Sequence, residues 1–357
     1  MNPSYKKFLF ISLSVSISVL FIVFIITFDS QSTIDAIKNS NLWIIALALA
    51  MHAVSLLIWA LKIKLMCRSL GYKIGFYHSF RMVCANIFAS SVTPSQIGGE
   101  PVRIYEIHKA GVPTGDATAI VIIERVFDGI ILVMLTFISV IILGIFFTHL
   151  DLPDGWIITA YIAAGVFTAL LILFFIFALN PKISKTVVPK IIKPFTKRMP
   201  GEKAEKFFEK LDLNINRFHA TLSEFSGKSK TGTVVGLVFS LFYWLNEFII
   251  AYVIIIGLGA EPTLKLFVLS LVMQIMITVV LMIPLTPGSA GVAEISAAAF
   301  YALIIPSSIV GLFVIIWRLI MYYFNLAAGF IASLIIVKRD TLDVNKRLSE
   351  KSSEVKE

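Results

Sequence analysis

Six apolar runs of membrane length, separated by short loops and basic segments, constrain this chain more than any other feature. Phe8–Phe28, Leu42–Leu61, Ala119–Phe147, Trp156–Leu179, Val234–Leu258 and Ser308–Val337 each reach the ~20 residues a helix needs to cross the hydrocarbon layer. Hydrophobic residues are 58% of the 357 and charged residues 15%, against ~45–50% and ~25% in a globular domain. One soluble core could not bury that surplus. A secreted domain, a DNA-binding protein and a disordered tail are thereby excluded, and an all-α polytopic membrane protein remains.

The net charge of +9 is distributed in blocks. Twelve of the 31 Lys and Arg lie between Lys182 and Lys230, six follow Val337, five lie between Lys62 and Arg81, and Lys6 and Lys7 precede the first run. Asp29–Asn41 carries net −1, and His149–Gly155 holds only Asp151 and Asp154. This alternation is the positive-inside pattern rather than a nucleic-acid surface. It places both termini, residues 62–81, the 181–231 loop and the tail in the cytoplasm, so the number of crossings is even. Two further apolar stretches, Ser79–Val92 and Leu264–Leu303, are short or interrupted. They make the count about eight helices, or six plus two re-entrant broken hairpins. The first run is too long for a secretory signal and has no small-residue cleavage site after it, so it reads as a retained helix.

Residues 1–337 form one integral membrane domain on this reading. Within 181–231, Phe207, Phe208, Leu211, Ile215, Phe218, Leu222 and Phe225 recur at helical spacing, with Lys203, Lys206, Lys210 and Arg217 between them. This basic amphipathic helix either lies in the anionic headgroup layer or packs on the protein's own loops. The tail, 338–357, mixes six bases with five acids and reads as frayed. Cys67 and Cys84 are too few for a disulfide framework, and the five histidines never approach metal-ligand spacing. No metal or other cofactor is expected.

Ionisable groups at membrane depth cost at least ~2.5–3.5 kcal/mol unless paired, and here they cluster. Thr93-Pro94-Ser95-Gln96-Ile97-Gly98-Gly99-Glu100-Pro101-Val102-Arg103 interrupts a helix with prolines and paired glycines. Glu100 and Arg103 offer opposite charges three residues apart. Thr286-Pro287-Gly288-Ser289-Ala290-Gly291-Val292-Ala293-Glu294 repeats that grammar, with Pro287 placed 193 residues after Pro94. Backbone freed in this way is tolerated at membrane depth only inside protein or beside a wet cavity. Two such breaks, one entered from each side, match the plan of inverted repeats, although the alignment needs one residue of slippage and coincidence is the alternative. Glu124-Arg125-Val126-Phe127-Asp128 follows. Its Arg125 is placed to pair with Asp128 at i,i+3, either as a self-neutralising interfacial cluster or as a charge relay facing the Glu100 loop. Glu247 and Arg318 would each be costly alone and call for a mutual or cross-helix partner.

Pro94–Arg103, then Glu124-Arg125-x-x-Asp128, then Pro287-Gly288-x-x-Gly291-x-x-Glu294 resembles the lysylphosphatidylglycerol synthase transmembrane-domain family. The resemblance covers roughly residues 10–335 and implies a flippase-like membrane protein. In relatives this domain moves an aminoacylated anionic lipid between leaflets, fused to a soluble transferase domain for which the tail of this chain has no room. The resemblance therefore implies lipid translocation or binding rather than lysyl transfer. Arg103, Arg125 or Arg318 would hold an anionic phospholipid headgroup, and Glu100 and Glu294 would balance charge during alternate access. Two other readings stay open. One is an intramembrane transferase on a lipid or polyprenyl-linked substrate, with Glu100 or Asp128 as base. The other is a non-transporting partner of a lipid-modifying enzyme. No carboxylate–histidine chain that would carry protons is visible in the sequence.

Overall fold

A computed structural model describes residues 3–27, 30–93, 98–146, 165, 169, 180–196, 201–227, 230–282 and 286–354. The predicted span Trp156–Leu179, apart from residues 165 and 169, and residues 94–97 of the first motif lie outside the described residues. Among the described residues every regular element is helical. The chain opens with α1 (Pro3–Thr27) and α2 (Ser30–Asn39), followed by α3 (Leu42–Ser69), α4 (Phe76–Ser91), α5 (Gly99–Lys109) and α6 (Thr114–Phe146). Two helices of the basic segment, α7 (Pro181–Thr196) and α8 (Gly201–Ser226), lead into α9 (Lys230–Gly257) and α10 (Leu264–Leu281). A 3₁₀ turn (Pro287–Ser289) then precedes α11 (Val292–Tyr301) and α12 (Ser307–Arg318). A π turn (Leu319–Tyr323) joins α12 to α13 (Phe324–Glu354).

The order long helix, helix, break, short helix, long helix occurs twice. From residue 42 to 230 and from 76 to 264 the offset is 188, and from 99 to 292 and from 114 to 307 it is 193. Local chemistry repeats with it. α3 and α9 each end in a Schellman motif on a glycine with left-handed φ, 86° at Gly71 and 93° at Gly259. Tyr72 N donates to Cys67 O and Gly71 N to Arg68 O; Ala260 N donates to Ile255 O and Gly259 N to Ile256 O. These two glycines are also 188 residues apart.

The halves are inverted. α3 and α9 form the central pair, and their cross-helix contacts run His52 to Glu247, Ser55 to Asn246 and Lys62 to Ser240. Residue numbers rise on one helix as they fall on the other, so the helices that open each unit are antiparallel. One apolar cluster joins α3, α4, α6 and α8, and a second joins α1, α9, α10, α11 and α12. The helices outside the units are exchanged: α1 packs on α11, α12 and the 3₁₀ turn of the second unit, whereas α8 packs on α6 of the first.

Five helical segments among the described residues are long and apolar enough to cross a membrane: α3, Thr114–Ile142 of α6, α9, α10 and Ser307–Thr341. Trp43, Phe137, Ile141, Phe242 and Phe330 lie exposed on their outer faces, as side chains facing lipid do. The interrupted stretches of the sequence are now explicit. Ser79–Val92 falls in α4 and its C-cap, and Leu264–Leu303 divides into α10, the turn and α11.

One open alternative takes its second form, and one expectation is corrected. The basic amphipathic helix packs on the protein: Ile215, Phe218, Leu222 and Phe225 are buried, and the Phe225 and Phe127 rings meet edge-on with centroids 6.5 Å apart. Its exposed face keeps Lys206, Lys210 and Arg217. The tail is not frayed from residue 338, since α13 runs to Glu354. Arg339 Nη2 meets Glu106 at 2.9 Å, and Lys109 pairs with Asp340. Charged partners on α5 hold a segment whose composition alone reads as solvated.

α4 and α13 touch at backbone distance. A Cβ on Gly329 would stand 2.5 Å from the Cys84 carbonyl oxygen and 2.6 Å from Phe88 Cβ, and neither neighbour is a free side-chain end. Gly329→Ala is expected to lose about 1–3 kcal/mol of stability through overpacking, seen as a lower Tm in detergent. An unchanged Tm would mean that α4 and α13 are further apart than described.

Candidate functional site

Each unit carries a glutamate in the first turn of its short helix and an arginine in the long helix that follows, and the two pair. In the first unit Arg125 Nη2 lies 2.9 Å from Glu100 Oε1, with Nε at 3.1 Å. In the second, Arg318 Nε lies 2.8 Å from Glu294 Oε1. Arg125 and Arg318 are separated by the same 193 residues that relate α5 to α11, so the pair belongs to the repeat.

The two pairs differ in cover. Glu100 and Arg125 side chains are 34% and 37% exposed, whereas Glu294 and Arg318 are 0% and 5%. Ser16 of α1 closes the second pair, donating to Glu294 Oε1 at 2.5 Å and accepting from Arg318 Nη2 at 3.2 Å. Glu294 Oε2 accepts from Gly291 N at 2.7 Å, capping α11 from its N3 position. Gly291 has φ 84°, where a side chain would be strained. Arg318 also stacks on Tyr322 at 4.2 Å. Pro287 and Gly288 form the 3₁₀ turn, which packs against α4, so the second break reaches the helix that precedes the first. At the first break, Gly98 and Gly99 open α5 against the last turn of α4; a Cβ on Gly98 would come 2.9 Å from the Ala89 carbonyl oxygen. Pro94 lies outside the described residues.

Beneath the open pair lies a buried charge network. Glu124 accepts from Arg103 and from Trp59 Nε1, and its Oε1 lies 3.0 Å from Lys62 Nζ. Lys62 donates to Asp128 Oδ1 at 2.8 Å and to Ser240 Oγ at 3.2 Å, and Ser240 donates to Asp128 at 2.6 Å. Arg103 and Glu124 are wholly buried. Lys62, Arg103 and Arg125 balance Glu100, Glu124 and Asp128, so the cluster is neutral, which its burial requires. Arg103 nevertheless leaves Nε and Nη2 without a hydrogen-bond partner, and Glu100 Oε1 stands 3.7 Å from Nη2. The Trp59 ring lies 5.4 Å from the Arg103 guanidinium and 5.8 Å from that of Arg125.

Gly98, Gly99, Glu100, Arg103, Glu124, Arg125 and Asp128 thus gather in one cluster, and Pro287, Gly288, Gly291, Glu294 and Arg318 in a second. The relay geometry toward Glu100 is present, but Arg125 does not pair with Asp128 along its own helix: α5 brings Glu100 to Arg125, and α3 brings Lys62 to Asp128. Glu247 and Arg318 do not pair with each other either. Glu247 takes His52 at 3.0 Å. Sequence reasoning missed Ser16, His52, Trp59, Lys62 and Ser240. For Lys62 a signal existed, since Trp59 and Lys62 share a helix face at i,i+3.

Two inverted helical units, each with a Glu–Arg pair between its short helix and the long helix that follows, define a polytopic membrane protein built on an internal repeat. The chain belongs to the family of the lysylphosphatidylglycerol synthase transmembrane region, which it matches over residues 10–329. It is 33% identical over 324 residues to a UPF0104 membrane protein of Archaeoglobus fulgidus, covering 90% of this chain and 95% of that one. It is 27% identical over 328 residues to a UPF0104 membrane protein of Methanocaldococcus jannaschii, covering 90% and 93%. A further match, 24% identical over 303 residues, is to the glycosyltransferase AglD of Haloferax volcanii and covers 78% of this chain and 46% of AglD.

Proposed function

We propose that the chain moves an anionic amphiphile, such as a phospholipid, between membrane leaflets by alternate access, with Glu100 and Arg125 as the headgroup site. The asymmetry of the two Glu–Arg pairs carries this reading: one is open, and its repeat counterpart is closed under α1. Two inverted units with unequal cover correspond to one end state of an alternating cycle, and exchange of the cover would give the other. A phosphate can take Arg125 from Glu100 and meet the free N–H groups of Arg103, while the acyl chains stay in lipid. Membrane lipids are then the partners.

The test is lipid crossing in proteoliposomes, followed by leaflet-selective quenching of labelled anionic and zwitterionic phospholipid. Arg125→Ala removes a charge-assisted contact worth about 1.5–3 kcal/mol, so crossing of the anionic lipid is expected to fall about 10–100-fold, with a smaller loss of Tm than substitution of the covered Arg318. Equal rates in wild type, Arg125→Ala and empty liposomes would end the proposal. A second reading, a transferase on a lipid-linked substrate with Glu100 as base, draws on the likeness to a glycosyltransferase. It requires turnover of a candidate lipid in detergent that Glu100→Gln abolishes while binding persists.

A further inference from the structure

We infer that His52 and Glu247 form a proton-binding site at the centre of the bundle, and that the proton it takes up drives the exchange between the two Glu–Arg pairs. The second clause rests on the translocase reading above. The first stands on geometry alone.

His52 lies on α3 with both ring nitrogens facing oxygen. Nδ1 is 3.0 Å from Glu247 Oε1, and Nε2 is 2.9 Å from Asn325 Oδ1. The Asn325 amide is oriented by its own bond, Nδ2 donating to the Met321 carbonyl at 2.8 Å, so the atom facing the ring is an acceptor. A neutral imidazole has one N–H and can satisfy one of these two oxygens, not both. The arrangement is complete only when one further proton sits on the pair, as an imidazolium beside a carboxylate or as a neutral ring beside a protonated acid. Both side chains are buried, at 3% and 7% exposure.

Loss of that proton has a structural consequence. If Nδ1–H stays with Glu247, Nε2 becomes an acceptor and Asn325 must turn its Nδ2 toward the ring, releasing the Met321 carbonyl. Met321 lies within the π turn Leu319–Tyr323, which begins one residue after Arg318. π turns carry an extra residue that is easily redistributed. The same turn contributes Tyr323, whose hydroxyl is 3.0 Å from Ser16. Proton state at His52 is therefore linked through Asn325 and the π turn to both the arginine and the serine that close the Glu294 pair. The chemistry is only transfer of H⁺, from one aqueous face to the pair and on to the other face.

Other ionisable groups on the packed elements are accounted for. Lys62 on α3 and Asp128 on α6 are bonded to each other, and His78 on α4 bonds the Glu106 carbonyl. Arg81 of α4 stacks on Tyr77, and Cys84 of α4 is a buried thiol. Tyr243 lies one turn before Glu247 on α9, and Tyr322 and Tyr323 lie in the π turn. Among the described residues, Glu247 is the sole charged group paired with His52.

Two experiments on the full chain decide the matter. In ¹⁵N-histidine-labelled protein in nanodiscs, the His52 ring signals are those absent from His52→Gln. The ring is expected to carry two protons in wild type, or one proton beside a protonated Glu247 carboxyl visible by infrared, at a pH where Glu247→Gln shows a one-proton ring and no such carboxyl. A one-proton ring with an ionised Glu247 in wild type overturns the site. In proteoliposomes with labelled phosphatidylglycerol, an imposed pH gradient is expected to change wild-type crossing about 5-fold or more, the low end of coupling between linked sites. His52→Gln and Glu247→Gln are expected to ignore the gradient, each crossing at the same rate with and without it. Variants that respond like wild type, or wild-type crossing that ignores the gradient, overturn the coupling. Absence of any wild-type crossing defeats the translocase reading instead, and the spectroscopic result still decides the proton site.

Discussion

Glu124→Gln is expected to cost the fold about 3–5 kcal/mol, the usual penalty for removing one member of a buried ion network. Glu124 is the hub that receives Arg103, Lys62 and Trp59. Without its charge the cluster keeps three cations against two carboxylates, Glu100 and Asp128, in a site where Arg103 is wholly buried. The excess positive charge, rather than the lost hydrogen bond, sets the size of the effect. Lys62→Met alone reverses the imbalance and is expected to cost a similar amount. The double variant restores neutrality and should recover a large part of the loss, because an uncharged pair of comparable volume leaves no uncompensated charge. Apparent Tm in detergent for wild type, both singles and the double completes the cycle. Additive losses in the double would show that the two charges do not share a site.

Arg318→Met is expected to be nearly as costly, about 3–5 kcal/mol, for a different reason. It strands Glu294, whose Oε1 accepts from Ser16 and faces Arg318 and whose Oε2 caps α11. Glu294→Gln with Arg318→Met is expected to regain about 0.5–3 kcal/mol relative to additivity, the range for residues in direct contact. Function separates this pair from its repeat counterpart. Substitution at Arg125 acts on a half-buried group and should cost less stability, whereas substitution at Arg318 acts on a covered one and should reduce stability more as well as crossing. Equal stability losses at the two arginines would contradict the difference in cover.

Much of the architecture is legible as sequence because hydrophobic transfer acts locally: a run of 20 apolar residues declares a crossing wherever it occurs, and Pro or Gly declares a break. The broken motifs and their spacing are of this kind, and they led to the residues that the structure gathers. What was not legible is pairing across helices. Arg125 has an acid on its own helix at i,i+3, and that local rule points to Asp128, but the fold supplies Glu100 from α5. Lys62 ends an apolar run and so reads as the first base of a cytoplasmic segment, although α3 continues to Ser69 and buries it. His52 sits in the same run, and its partners lie 195 and 273 positions away. The carboxylate–histidine contact, absent from any local pattern, exists only once α3, α9 and α13 are together. Composition misled in the tail as well, because Arg339 and Asp340 look solvated until Glu106 and Lys109 are placed beside them.

The exchange of α1 and α8 between the two units bears on how the protein is made. α1 is synthesised well before its seat on α11 and α12 exists. Ser16 meets neither Glu294 nor Arg318 until some three hundred further residues have been added. Insertion of α1 and its docking are therefore separate events in time, and during the interval the Ser16 hydroxyl lacks its partners Glu294, Arg318 and Tyr323. Helices made late complete the binding place of one made early, so neither half is finished before the other.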